Sequence, residues 1–236
     1  LLSACFALII FVKIKNQKFI FNLKSNYLPG FSLFLYAITF SYAYLHLDAG
    51  LGTLILFATV QLSMILISVF YKENLSIYQI IGIFIALGGL VYLLYPSSSF
   101  TLSYFHVFLI ILSGISWAIY TVLGKNKKNI LDLTADNFTK ASIFILISYF
   151  ALFPDTFYTK EGLLIASISG VITSAFGYIL WYYVLNKITI ITASIVQLLV
   201  PIIAIIISII FLKEILTLKL IISSIIILIG ISICLI

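Results

Sequence analysis

The sequence predicts an all-α membrane protein, and three observations carry that prediction. Hydrophobic residues make up 64% of the 236 positions. Charged residues make up only 8%, against ~25% in a typical soluble domain. The apolar residues are gathered into long runs rather than scattered. A chain this apolar cannot cover itself with polar surface in water, so lipid is its expected outer solvent.

A spanning helix needs ~20 mostly apolar residues, and nine runs can be marked in order. The first, 1–12, is too short to span. The chain opens inside it at Leu1-Leu2-Ser3, with no initiator Met and no basic leader, so it reads as the tail of a longer helix whose start is missing. The second run, 28–47, carries Tyr36, Phe40 and Tyr44, and the third, 50–71, contains Gln61 and ends at Lys72-Glu73. The fourth, 76–95, holds Gly88-Gly89, and the fifth, 104–124, holds Ser113, Trp117 and Tyr120. Then follow 139–154 and 162–185, the latter with Tyr178 and Trp181. The run 189–212 contains Gln197 and Pro201 and ends at Lys213-Glu214, and 216–236 closes the chain.

Ile and Val abound in the later runs, and β-branched residues favour strands in water. In lipid, however, the backbone must satisfy its own hydrogen bonds, which excludes an open sheet. Barrel strands alternate in polarity over about ten residues; these runs do not alternate and are twice as long. Helix is therefore the expected state. No Ser/Gly/Pro-rich linker marks off a soluble domain.

All thirteen basic residues are Lys, and the net charge is +6. They lie between apolar runs rather than along one stripe, which argues against a nucleic-acid partner. With loops alternating sides, Lys13, Lys15, Lys18, Lys24, Lys72, Lys125, Lys127, Lys128, Lys140 and Lys187 fall on one side, and Lys160, Lys213 and Lys219 on the other. The positive-inside rule places the Lys-rich side, and with it the C-terminus, in the cytoplasm. Cys5 and Cys234 both sit in apolar runs without ligand-type neighbours and read as small hydrophobes.

The chain repeats itself at an offset of 141: Tyr42 matches Tyr183, Ile65 matches Ile206, Phe70 matches Phe211, and Lys72-Glu73 matches Lys213-Glu214. Further on, Ile81, Ile85, Leu87 and Gly89 match Ile222, Ile226, Leu228 and Gly230. The two copies have opposite orientation, because their Lys-Glu turns fall on opposite sides. Inverted repeats place a substrate site near the membrane midplane.

Several segments resemble the EamA family of the drug/metabolite transporter superfamily. They are Phe40-Ser41-Tyr42-Ala43-Tyr44-Leu45, the stretch Thr53 to Leu62, and the turn Lys72-Glu73-Asn74-Leu75 followed by Gly82 and Gly88-Gly89. In the second half they are Ser116-Trp117-Ala118, Ala193-Ser194 through Gln197 and Pro201, and Lys213-Glu214. The resemblance covers essentially the whole chain. It implies a ten-helix inverted-repeat transporter fold (5+5), here about nine helices with the first missing and the second truncated. It divides the chain into a first repeat at 1–96 and a second at 104–236. It further implies a multi-pass inner or plasma membrane protein that carries, most simply exports, amino acids or related metabolites by alternating access. Two departures stand out. The family's Gly-Glu turn is Lys-Glu in both copies, and Val60 stands where the second copy has Pro201, so the first half is expected to lack a kink.

Polar groups inside spanning runs are costly unless they face a partner or a wet path. Gln61 and Gln197 are therefore expected to line a cavity and bind a zwitterion or polar metabolite; the alternative is an interhelical hydrogen bond. Ser113, Trp117 and Tyr120 share a helical stripe and suit a mixed polar and apolar solute, unless the aromatics form an interfacial belt. Tyr36 and Tyr178 lie deep in their runs and join this expected lining. Tyr44 and Trp181, near helix ends, read as belt residues. Gly30, Gly114, Gly170, Gly177 and Gly88-Gly89 read as close-packing positions. His46 and Asp48 share a turn and His106 stands alone at a helix start, which is too few ligands for a metal.

No Asp, Glu, His or Lys is expected in mid-span, so no proton relay is legible. A facilitator or exchanger then stands beside a proton-coupled carrier. No P-loop of the G-x-x-x-x-G-K-[ST] kind occurs, and no cofactor or metal is expected. An intramembrane enzyme would pair Ser116 or Ser174 with a base, but neither His lies at their depth. A passive channel and a partner-holding scaffold remain as rival classes. The expected partners are a small-molecule substrate and the bilayer, with the protein a monomer or a homodimer.

Overall fold

The computed structural model describes residues 1–15, 26–47, 49–95, 103–152, 159–212 and 217–234. Among these residues every regular element is a helix, as the apolar runs require. The helices are α1 (Leu2–Ile14), α2 (Leu28–Ala43), α3 (Ala49–Phe70), α4 (Ile77–Leu94), α5 (Tyr104–Gly124) and α6 (Ile130–Leu152). They continue with α7 (Lys160–Ser169), a π-helical segment (Gly170–Phe176), α8 (Gly177–Leu185), α9 (Ile190–Val196), α10 (Leu199–Leu212) and α11 (Leu218–Cys234). Leu51–Phe70, Tyr104–Gly124 and Lys160–Leu185 are each long and apolar enough to cross a membrane, at 20, 21 and 26 residues. Large apolar side chains lie exposed on the helices, including Leu163, Leu164, Ile165 and Ile168 on α7 and Ile203, Ile206, Ile207 and Ile210 on α10. An exposed apolar surface of this extent needs lipid against it.

Three boundaries differ from the sequence expectation, each for a physical reason. Helix α6 begins at Ile130 rather than near 139. Its first turns carry Asp132, Thr134, Asp136 and Asn137, which no apolar-run criterion selects. The 189–212 run is broken after Val196. Pro201 lacks an N–H and its ring crowds the carbonyl four residues back, which is that of Gln197. Val200 N–H reaches that carbonyl instead at 3.0 Å, and Leu198 N–H bonds Ile195 O at 3.0 Å, so the chain tightens there. Helix α3 runs unbroken through Val60. Between α7 and α8 the helix widens rather than breaks. There the Thr173 hydroxyl donates back to Ser169 O at 2.7 Å, a local bond that competes with the regular ladder.

The chain forms two compact units, 1–38 with 119–187, and 39–118 with 188–236. In the first, α1 packs on α6 and on the π-helical segment. Cys5 Sγ lies 3.4 Å from Thr139 Oγ1, and the Phe11 and Phe176 rings are 4.8 Å apart. Gly30 brings α2 onto α6, since a Cβ there would sit 2.6 Å from Lys140 Cβ. Gly170 meets Ser3 in the same way. Asn186 closes the turn between α5 and α6: its Oδ1 accepts from Asn126 N–H at 2.8 Å, and its Nδ2 donates to Lys127 O at 3.0 Å.

In the second unit α4 and α11 make the most extensive helix pairing. Small residues allow it. A Cβ on Gly230 would lie 2.5 Å from Ala86 N, and Gly82 meets the Gly230 carbonyl and Cys234. Around them Ile83, Leu90, Ile195, Leu198, Ile227 and Ile231 form the buried core. Ser76 and Gln79 cap α4 reciprocally, Gln79 N–H to Ser76 Oγ at 3.2 Å and Ser76 N–H to Gln79 Oε1 at 3.0 Å. The expectation that Gly88 and Gly177 are close-packing positions is corrected, because nothing lies within 4 Å of a Cβ at either.

Candidate functional site

The predicted lining residues fall into two groups, one in each unit. In the second unit, Trp117 on α5 donates its indole N–H to Gln197 Oε1 at 2.5 Å. Gln197 sits in the break between α9 and α10, where the Pro201 constraint turns the chain. Its Nε2 donates to Met64 Sδ at 3.1 Å and to Ala193 O at 3.2 Å. The indole, the amide and the thioether thus form one chain from α5 to α3. Gly114 lets α5 approach α3, since a Cβ there would lie 2.8 Å from Thr59 Cβ and 3.1 Å from Leu56 O. Ser113, beside it, is fully buried.

Gln61 lies on α3, three residues before Met64, with 0% of its surface exposed. Neither its Oε1 nor its Nε2 has a hydrogen-bond partner among the described residues. A primary amide has two donor hydrogens and an acceptor oxygen. Leaving them unmet in a buried place costs ~1–3 kcal/mol. Such a group calls for a reason, and a ligand or water that meets it is one.

In the first unit, Tyr120 on α5 and Tyr178 on α8 have ring centroids 5.7 Å apart, and Tyr182 stands 5.4 Å from Tyr120. Phe138 on α6 meets Tyr178 edge-on at 5.0 Å. The Tyr182 hydroxyl donates to Tyr120 O at 2.9 Å, and Gly124 makes room for its ring. Tyr120 is fully buried, while Tyr36 and Tyr178 are half-buried. A cavity of about 740 Å³ in this unit is lined by none of the predicted residues.

Several residues of the same surroundings escaped the sequence reading. Asp136 and Lys140 form a charged pair within helix α6, which the sequence reading did not expect. Lys140 was assigned to a loop; it lies well inside α6, fully buried, with its Nζ 2.5 Å from Asp136 Oδ2. It also donates to Asn26 O at 3.3 Å and stands 5.0 Å from the Tyr27 ring centroid. Met64 on α3 and Asn137 on α6 are neutral residues that no motif marks. Glu73, noted only as part of a repeated turn, accepts from Ile190 N–H at 3.0 Å and Ile191 N–H at 3.2 Å, so it caps α9. Lys72 before it adopts φ 57°, the left-handed geometry of the turn. The second copy of that turn, Lys213-Glu214, lies outside the described residues, as does Asp48. His106 does not stand alone: its ring is 4.5 Å from His46, and its Nδ1 is 2.6 Å from Ser103 Oγ.

Comparison with known proteins places this geometry in context. Residues 104–236 match the model of the EamA-like transporter family. Over 173 residues the chain is 39% identical to an uncharacterized protein of Pseudomonas aeruginosa, a match covering 73% of this chain and 60% of that protein. The chain thus spans less than two thirds of that relative's length. It is also 29% identical over 210 residues to an uncharacterized transporter of Archaeoglobus fulgidus, covering 86% of this chain and 74% of the relative. A crystal structure with 14% identity superposes with a TM-score of 0.82 over 99% of this chain and 85% of the other, which speaks to the fold alone.

Proposed function

Since the chain belongs to the EamA-like transporter family, we propose that it is a multi-pass membrane transporter that moves small organic solutes, amino acids or related metabolites, by alternating access. The carrying observation is Gln61, a buried amide on α3 without a hydrogen-bond partner among the described residues. Nearby on the same helix, Met64 takes the end of the Trp117–Gln197 chain. An amide, an indole and a thioether offer donors, acceptors and apolar surface together. That mixture suits a zwitterion with an apolar side chain better than it suits a bare ion.

The proposal extends to a 5+5 inverted arrangement with repeats at 1–96 and 104–236, to export, and to an inner-membrane protein with a cytoplasmic C-terminus. Ser113, Tyr36, Tyr120 and Tyr178 are proposed as further lining.

The test is counterflow in proteoliposomes holding the full-length protein. Labelled amino acids should enter faster when unlabelled amino acid is trapped inside, and the rate should saturate. Flux that rises linearly and ignores trapped solute would replace the carrier with a channel. Absence of flux for amino acids and for a wider panel of metabolites would leave the scaffold.

A further inference from the structure

The 740 Å³ cavity lies in the first unit, away from the lining residues discussed above. Its walls divide by chemistry. Lys15, which caps the end of α1, and Lys128 and Asn129, which lead into α6, form the polar end. All three are exposed. Ile130, Leu131 and Asp132 from the first turn of α6 continue from them. The rest is apolar: Ile172 and Phe176 of the π-helical segment, then Gly177, Ile179, Leu180 and Tyr183 of α8. Ile172, Phe176, Leu180 and Tyr183 each expose more than half their surface.

From Ile172 to Tyr183 the helix rises ~16 Å at 1.5 Å per residue. Half the hydrocarbon thickness of a bilayer is about 15 Å. The groove is therefore as long as one acyl chain in one leaflet. Its polar end lies on the Lys-rich side, where lysines reach the headgroup layer. Two lysines against one carboxylate, Asp132, leave one positive charge among the lining residues, and Lys187 adds another beside them, its Nζ 3.0 Å from the hydroxyl of the lining Tyr183. A net positive end suits a phosphodiester, and the carboxylate can accept from headgroup hydroxyls.

We propose that this groove is a binding site for a monoanionic, hydroxyl-bearing phospholipid of the phosphatidylglycerol type. Its phosphate sits between Lys15 and Lys128, its glycerol headgroup meets Asp132, and one acyl chain lies along Ile172, Phe176 and Leu180. The site does not depend on what the protein carries.

Gly177 supplies the sharpest test. It lines the groove, and a Cβ there meets nothing within 4 Å, so Gly177→Leu starts from a position with no clash at its Cβ and adds apolar bulk to the groove wall. The full-length protein would be purified in mild detergent, mixed with phosphatidylglycerol or phosphatidylethanolamine, and examined by native mass spectrometry. Phosphatidylglycerol should be retained in preference. Each lysine near a headgroup phosphate is worth about fivefold, so the double variant Lys15→Gln/Lys128→Gln should lower retention by more than about tenfold. Gly177→Leu should abolish retention with helix content and melting temperature unchanged. Equal retention of the two lipids, or retention untouched by both variants, would overturn the proposal. So would displacement of the lipid by millimolar inorganic phosphate, since that describes an anion site with no use for the apolar groove.

Discussion

Replacing Lys140 with Met tests how the first unit tolerates a charge in its interior. Lys140 is fully buried, and its partner Asp136 is 19% exposed. At an effective dielectric constant of 20, unit charges 4 Å apart attract by ~4 kcal/mol. Removing both ions from water costs several kcal/mol each, so the intact pair is near balance. Met keeps the apolar stem that packs under Gly30 but removes the ammonium. Asp136 then keeps its desolvation cost without its cation, and the expected loss is ~3–5 kcal/mol. For a chain of this length that lowers the melting temperature by on the order of 10 °C. The double variant Lys140→Met/Asp136→Leu removes both charges and should recover most or all of that loss. Thermal unfolding in detergent, followed by circular dichroism, reads both. A single variant as stable as the parent, or a double variant no better than the single, would refute the pairing argument.

Other consequences are equally direct. Glu73→Ala removes the carboxylate from the N-terminus of α9 and should cost ~1–2 kcal/mol, with Glu73→Asp, one methylene shorter, recovering only part; unfolding in urea measures it. Gly114→Val places a branched side chain where Thr59 and the Leu56 carbonyl already lie, and should destabilise by ~1–3 kcal/mol and weaken the Trp117–Gln197 bond, visible as a shift in indole fluorescence. Tyr182→Phe deletes one buried hydrogen bond to the Tyr120 carbonyl and should cost ~1 kcal/mol in the same unfolding measurement, with solute affinity unchanged.

Apolar runs of spanning length can only be helices in lipid, so their helical state was readable from the sequence, though not all of their boundaries. What the sequence concealed has a common cause: it depends on partners far along the chain. Helix α6 starts in a polar stretch because Asp132 to Lys140 find neighbours in α2 and within α6 itself. The break before α10 was anticipated only as a kink, since Pro201 is visible but the rerouted bonds of Gln197 and Val200 are not. Gly30 and Gly114 are tight contacts while Gly177 faces open space, a difference set by neighbours and not by the glycine. Among the expected lining residues, Gln197 and Trp117 were named separately, and their mutual bond comes from helices eighty positions apart. Met64 carries no polar signature that would single it out.

The account turns on Gln61, and one pair of measurements on Gln61→Met tests it most directly. Met fills nearly the same volume without the amide. If that amide is kept for a solute, the variant should be at least as stable as the parent, because a buried unsatisfied group has been removed. Its saturable counterflow should fall by tenfold or more, on the order of the ~1–3 kcal/mol that two lost hydrogen bonds represent. A variant that is less stable yet carries solute at the parental rate would contradict the account and make Gln61 a structural residue.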